Sequence, residues 1–235
     1  VTAVDDDVTQ FQPGDAVMGI AFHSLGSHVT TDARLLVAKP DNLTFTEAAT
    51  VPIVFLTATY ALQRLGRMRA GERVLIHAGS GGVGQAAIQL AQRAGAEIFA
   101  TAGTPQKRDF LRDLGVPHVM DSRSLAFAED VLTTTGGEGV DLVLNSLAGE
   151  AVVKGLEILR PYGRFLEIGK VDIYDNSRIG LLPFHKNLAY FAIDLDRMAR
   201  ERPSAIGDML ADISDMLAAG EIRPLLLRTF PVSDA

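Results

Sequence analysis

The chain has 235 residues, 47% hydrophobic and 22% charged, with a formal net charge of −7 and no cysteine. At about 150 residues per domain this length allows one large domain or one and a half ordinary ones, and the apolar share suits an α/β protein with a sizeable core. The acidic balance argues against a nucleic-acid surface, the lack of cysteine excludes disulfides, thiolate catalysis and cysteine-based zinc sites, and no apolar run reaches membrane-helix length. The first residues, Val1-Thr-Ala-Val-Asp-Asp-Asp7, have neither a basic nor an apolar signal region and no initiator Met, so the chain is expected to be a cytoplasmic piece of something longer.

Residues 1–40 read as short strands and turns: Phe11-Gln-Pro-Gly-Asp15 is a turn signal, and Ala16–Ala21 and Leu35–Ala38 are apolar runs. Thr44-Phe-Thr-Glu47 fits a capping box, Pro52 interrupts, and Phe55–Leu65 continues as an apolar helix ending near Gly66. After Gly71 strands and helices alternate. Strands are expected at Val74–Ala78, Glu97–Thr101, His118–Met120, Asp141–Leu144, Arg164–Ile168 and Leu188–Ile193. Helices are expected between them at Val83–Arg93, Gln106–Leu114, Leu125–Thr134 and Glu150–Leu159. Short apolar strands separated by amphipathic helices mean βαβ units and a parallel sheet covered on both faces. A last helix, about Pro203–Ala219, stops at Gly220, and Leu225–Phe230 reads as a returning strand.

Within that order, His77-Ala-Gly-Ser-Gly-Gly-Val-Gly84 contains Gly79-x-Gly81-x-x-Gly84. Such a pattern informs only in context, and here it follows an apolar strand and opens a helix. Gly79 permits the tight turn, Gly81 lets the backbone approach a phosphate, and Gly84 lets the helix pack on the strand. The helix N-terminus offers N–H groups and a partial positive charge to a pyrophosphate. The plain alternative is a glycine turn without a ligand. His77, entering the turn, reads as structural and satisfied by backbone. The other histidines, His23, His28, His118 and His185, are scattered without metal-ligand spacing, so no metal is expected.

Cofactor choice is read at the end of the second strand of the glycine-turn unit. NAD enzymes place an acid there. This chain has Ala100-Thr-Ala-Gly103, followed by Thr104, Lys107 and Arg108. A 2′-phosphate would gain charge-assisted bonds of roughly 1.5–3 kcal/mol each, so NADPH is favoured over a reading of Lys107 and Arg108 as a solvated helix face. Neither the Tyr-x-x-x-Lys of short-chain dehydrogenases nor a P-loop lysine is present. Asn145 and Ser146 end an apolar strand where ligands lie in open α/β sheets, so Asn145 could reach the nicotinamide ribose, with a helix-capping pair as the alternative. Lys170 ends another strand as a proton donor or a surface residue, and Asp196 follows the sixth as a site residue or a helix cap.

Taken together these segments resemble the enoyl reductase domains of type I polyketide synthases and animal-type fatty acid synthases, members of the zinc-independent medium-chain dehydrogenase/reductase superfamily. The resemblance rests on Pro13-Gly-Asp-Ala-Val17, Val51-Pro-Ile-Val-Phe-Leu-Thr-Ala58, His77–Gly84, Leu142-Val-Leu-Asn-Ser-Leu-Ala-Gly149, Gly163-Arg-Phe-Leu-Glu-Ile-Gly-Lys170, and Lys186-Asn187 leading to Asp196. It implies a Rossmann-type doubly wound sheet with a partial GroES-like β domain. The expected division is 1–59 for the partial substrate domain and connecting helix, 60–195 for cofactor binding, and 196–235 for a helix and strand returning to the substrate domain. The implied reaction is NADPH-dependent reduction of a 2-enoyl thioester on an acyl carrier protein, with Lys170 and Asp196 catalytic.

Cofactor contacts are expected from Thr57; from Gly79, Ser80, Gly81, Gly82, Val83 and Gly84; from Thr101, Thr104, Lys107 and Arg108; from Ser122 and Arg123 on the adenine side; and from Asn145 and Ile168. The implied partners are the carrier protein and neighbouring synthase domains of the same polypeptide, with a homodimer left open. A free-standing quinone or alkenal reductase and a non-catalytic structural domain are the rival readings. The resemblance also implies that the chain is cut at both ends. The opening strands of the substrate domain, with a Tyr position that influences protonation stereochemistry in some members, would precede it, and a further helix and strand would follow Phe230-Pro-Val-Ser-Asp234.

Overall fold

An antiparallel pair, β1 (Val17–Gly19) and β2 (Leu36–Ala38), comes first in the computed structural model, which describes residues 1–231. Helix α1 (Phe45–Ala48) begins with the expected capping box: Glu47 N–H donates to Thr44 Oγ1 and Thr44 N–H to Glu47 Oε2. Pro52 does not interrupt a helix; it opens α2 (Pro52–Thr59), where the missing N–H costs nothing because first-turn donors have no intrahelical acceptor. The helix then widens into a π-helical stretch, Tyr60–Leu65, closed by Gly66 N–H to the Ala61 carbonyl at 2.7 Å.

The alternating elements follow as β3 (Arg73–Ile76), α3 (Gly82–Ala94), β4 (Glu97–Ala102), α4 (Pro105–Asp113), β5 (His118–Asp121), α5 (Phe127–Thr134), β6 (Val140–Asn145), α6 (Glu150–Glu157), β7 (Leu159–Glu167), α7 (Val171–Tyr174) and β8 (Ala189–Ala192). All six strands are parallel, in the order β5-β4-β3-β6-β7-β8. The strand order therefore reverses between β3 and β6, and such a reversal leaves a crevice at the carboxyl ends of both strands. Leu75, Phe99, Val143 and Phe165 are fully buried in the sheet's core. Each such side chain stabilises the fold by roughly 1.5–3 kcal/mol through removal from water.

Helices α8 (Leu195–Glu201) and α9 (Pro203–Ala218) complete the order. Contacts group the chain into two compact units, Thr57–Ile193 and Val1–Leu56 with the segment from Asp194 onward. In the latter unit α9 buries Ile206, Leu210, Ile213 and Leu217 and packs on β2, tied by Ser214 Oγ to the Ala38 carbonyl and by Asn42 Nδ2 to the Leu217 carbonyl. Gly207 is needed there, since a Cβ would stand 2.7 Å from the Arg34 carbonyl oxygen.

A further local expectation fails. Leu225–Phe230 forms no strand: Leu225 N–H donates to Thr50 Oγ1, and among the described residues no neighbouring strand offers a ladder. Residues 232–234 of the Phe230–Asp234 segment lie outside the described residues. The short helix α8 has no counterpart in the sequence reading.

Candidate active site

The glycine turn follows β3 and opens α3. Ala78 takes a left-handed φ of 50°, and its carbonyl accepts from Gly81 N–H at 2.8 Å. Gly79 N–H donates to the Thr101 carbonyl, fastening the turn to β4. The three glycines of the pattern do different work. A Cβ at Gly84 would lie 2.6 Å from the Ala78 oxygen and from Gly79 Cα, so this position is closed by backbone. One at Gly79 would press on Ala100 and Leu111 at 3.1–3.3 Å, whereas one at Gly81 would meet only the Ala78 oxygen, at 3.2 Å. Gly81 is exposed, and no side chain caps α3. The first-turn N–H groups of Gly82, Val83 and Gly84 have no carbonyl four residues back within the helix, and the helix dipole adds positive potential. An open glycine, an uncapped helix start and strand-end placement fit a dinucleotide pyrophosphate.

His77 is buried and stacks edge-on against Phe127. Its Nδ1 is 3.0 Å from Thr101 Oγ1, and its Nε2 is buried without a partner in the structure. The expectation of backbone satisfaction therefore fails; the neighbour across the sheet is a hydroxyl. Burial holds the imidazole neutral, lowering its pKa to about 4. Thr101 in turn is fully buried with its hydroxyl on His77, so what it presents to the turn is its carbonyl.

At the end of β4 the structure gathers a basic rim. Thr104 caps α4 by accepting from Lys107 N–H. Arg108 Nη1 bonds the Ala102 carbonyl and lies 3.0 Å from Asp121 Oδ2 at the end of β5. Asp121 Oδ1 also accepts from Arg123 N–H at 2.8 Å. A Cβ on Gly103 would stand 3.1 Å from Arg123 Nε and 3.4 Å from Ser122 Oγ, so these two side chains lie over Gly103. Lys107 is exposed. Arg108 is thus oriented by Asp121, an organising residue absent from the sequence reading.

The carboxyl ends of β6 and β7 form the other half of the crevice. Asn145 is fully buried and does not cap α6, whose N-cap is Gly149. Its Nδ2 donates to Glu167 Oε2 at 2.6 Å and to the Leu147 carbonyl at 2.7 Å. Its carbonyl accepts from Ile168 N–H at 2.9 Å. Glu167 Oε1 accepts from Gly169 N–H at 2.6 Å, and Asp172 Oδ2 from Gly149 N–H at 2.8 Å. Burial raises the Glu167 carboxyl to about 7, against the opposing effect of these hydrogen bonds. Ser146 Oγ is buried without a partner in the structure. Lys170, half-buried, is the N-cap of α7 directly after this knot.

Thr57 is buried in α2. Asp196 is exposed in the first turn of α8, in the other unit, and the capping role there belongs to Asp194, whose side chain accepts from Arg197 N–H. Among the described residues no group of three or more His, Asp or Glu side chains is placed to hold a metal.

Comparison with known proteins bears on this crevice. The zinc-binding dehydrogenase family matches residues 82–209. The crystal structure of CurK enoyl reductase superposes with a TM-score of 0.90 at 46% identity, covering 99% of this chain and 70% of that one. The chain belongs to the polyketide synthase enoyl reductases. The nucleotide-binding subdomain of the enoylreductase domain of PpsC from Mycobacterium tuberculosis matches with a TM-score of 0.71 at 45% identity, over 74% of this chain and 97% of that one. Phthioceranic/hydroxyphthioceranic acid synthase of Mycobacterium tuberculosis (strain ATCC 25618 / H37Rv) is 48% identical over 236 residues. That alignment takes in 100% of this chain but 11% of the synthase, so this enoyl reductase chain spans about a tenth of such a relative. Glu167, like Asp121, is not singled out by the sequence patterns; the signal for Glu167 is an acid inside the otherwise apolar Phe165–Ile168 stretch, where a buried charge is rare.

Proposed function

We propose that the chain reduces the 2,3 double bond of a 2-enoyl thioester carried on an acyl carrier protein, using NADPH, as one domain of a cytoplasmic polyketide or fatty acid synthase. The observation that carries the reading is the pairing of an uncapped glycine turn with a basic rim, Lys107, Arg108 and Arg123, where an NAD enzyme would place an acid. Gly79–Gly84 would hold the pyrophosphate, Thr104, Lys107 and Arg108 the 2′-phosphate, and Ser122 and Arg123 the adenine side. Thr57, Asn145 and Ile168 would flank the nicotinamide. When bound, the nicotinamide would supply the hydride that goes to the β-carbon. Lys170 and Asp196 would each serve as a proton donor or as a polar support of this step, the Lys170 ammonium being suited both to stabilise the developing negative charge and to deliver a proton.

Residues 57–193 would act as the cofactor domain. The carrier protein and neighbouring domains would be its partners, and a homodimer is compatible with this arrangement. The test is NADPH oxidation with a crotonyl-type thioester against a quinone. Preferential turnover of the thioester is expected, and faster turnover of the quinone overturns the reading. Absence of NADPH binding would instead point to a structural domain.

A further inference from the structure

The strand-end knot contains a carboxyl that the reaction as proposed does not use. Glu167 ends β7 with 3% of its surface exposed. Both of its oxygens accept from N–H groups, Oε1 from Gly169 and Oε2 from Asn145, each at 2.6 Å. The Asn145 amide cannot turn round to offer its oxygen, because Leu147 holds both ends of it: Nδ2 donates to the Leu147 carbonyl and Oδ1 accepts from Leu147 N–H. Gly169 is shaped to the carboxylate as well, since a Cβ there would stand 2.7 Å from Glu167 Oε1. The residue after Gly169 is Lys170.

We propose that Glu167 is a positioning residue, whose carboxylate braces the end of β6 to the turn that presents Lys170, and that this brace is at full strength only when the carboxyl has lost its proton. The inference rests on the enoyl reductase reading of Lys170. The carboxylate accepts from both donors at full strength, whereas a proton on either oxygen takes one of its lone pairs and makes it a weaker acceptor, so protonation slackens one of the two bonds. Burial places that proton loss at about pH 7. The ionisable groups that act on it are Asp172, whose charge also raises it, and Tyr190 on β8, itself pushed up to about 12 mainly by burial; Lys170 follows three residues later in the chain. The chemistry therefore predicts a reductase whose lysine is held correctly above neutrality and loosens below it.

The test reads the brace and the reaction separately. In the 235-residue chain, the Gly169 amide proton followed by NMR should move through a single titration between pH 6 and 8, and Glu167→Gln should abolish it. A Gly169 amide that does not titrate in that range overturns the proposal. In NADPH oxidation with an enoyl thioester, kcat of the unaltered chain should rise through pH 7. Glu167→Gln should flatten that profile and lower kcat at pH 8 by about tenfold, less than the roughly 100-fold cost of a 1 Å misplacement, with KM for NADPH unchanged. Gly169→Ala, which pushes the carboxylate aside while keeping its charge, should also lower kcat at pH 8. Identical pH profiles for the unaltered chain and Glu167→Gln overturn the proposal. No turnover of any thioester by the unaltered chain overturns the proposed function instead, and the amide titration then still decides whether the brace exists.

Discussion

The two halves of the crevice are built in different ways. At β3 and β4 the glycine turn is made by backbone: left-handed Ala78, Gly81 N–H on the Ala78 carbonyl, and a helix start left open by the lack of a capping side chain. At β6 and β7 the strand ends are joined by side chains, with Asn145, Glu167 and Asp172 each spanning two segments of chain. A backbone cradle has no titratable part and is sensitive to volume. A side-chain knot tolerates volume better but responds to protons. The dinucleotide end should therefore break sterically, and the lysine end electrostatically.

The largest expected effect is steric. Gly84→Ala puts a Cβ 2.6 Å from backbone atoms that cannot move without opening the turn. It should cost about 3 kcal/mol of stability and remove NADPH binding, as read by thermal unfolding and a fluorescence titration. Gly81→Ala sharpens the contrast, because its Cβ meets only the Ala78 oxygen at 3.2 Å. Stability should change by less than about 1 kcal/mol, while NADPH binding falls. If both variants lose stability equally, the division of labour between the two glycines is wrong.

Next in size is cofactor discrimination. Lys107→Ala with Arg108→Ala should weaken NADPH by at least about tenfold and leave NADH nearly unchanged. Equal losses for both cofactors would contradict the 2′-phosphate assignment. Asp121→Asn should give a smaller loss of the same kind, since it frees Arg108 without removing it.

The pH effects are smaller and run in opposite directions. Glu167 has its carboxyl raised from 4.5 to about 7, so its contribution to stability is whole below pH 4.5 and is lost as pH rises through about 7, where a buried charge must be carried. Glu167→Gln should therefore remove part of the fall in melting temperature between pH 5 and pH 8. His77 is lowered from 6.5 to about 4, so its contribution is whole above pH 6.5 and is lost as pH falls towards 4. Its ring proton resonances should stay at neutral values down to pH 5. A His77 that titrates near 6.5 would mean the β3–β4 end is wetter than its packing against Phe127 implies.

The parallel sheet is legible in the sequence because its signals are local. Val74–Ile76 and Leu142–Leu144 are short apolar runs, and the intervening segments carry helix periodicity, so strand and helix can each be recognised from a few neighbours. Thr44 and Glu47 likewise announce their capping box at a spacing of three. Leu225–Phe230 has strand composition, yet a strand needs a partner edge, which no local pattern supplies. Helix α8 was missed because Asp194, its cap, sits immediately after the strand and its helix has only seven residues.

At the site the same distinction holds. The glycine pattern, the absence of an acid after β4 and the strand-end placement of Asn145 and Lys170 could all be seen in one dimension, because each depends on residue type and position within a single βα unit. The pairing of His77 with Thr101, of Arg108 with Asp121, and of Asn145 with Glu167 could not. These partners are 24, 13 and 22 residues apart; parallel pairing sets strand ends side by side for His77 with Thr101 and Asn145 with Glu167, and the end of β5 meets helix α4 for Asp121 with Arg108. Sequence alone determined where the backbone must bend and where a phosphate could approach, since glycine's lack of a Cβ is a property of one residue. Tertiary structure alone decided which polar groups would face one another away from water, and so which of them carry a shifted pKa, because desolvation and hydrogen bonding belong to the packed neighbourhood.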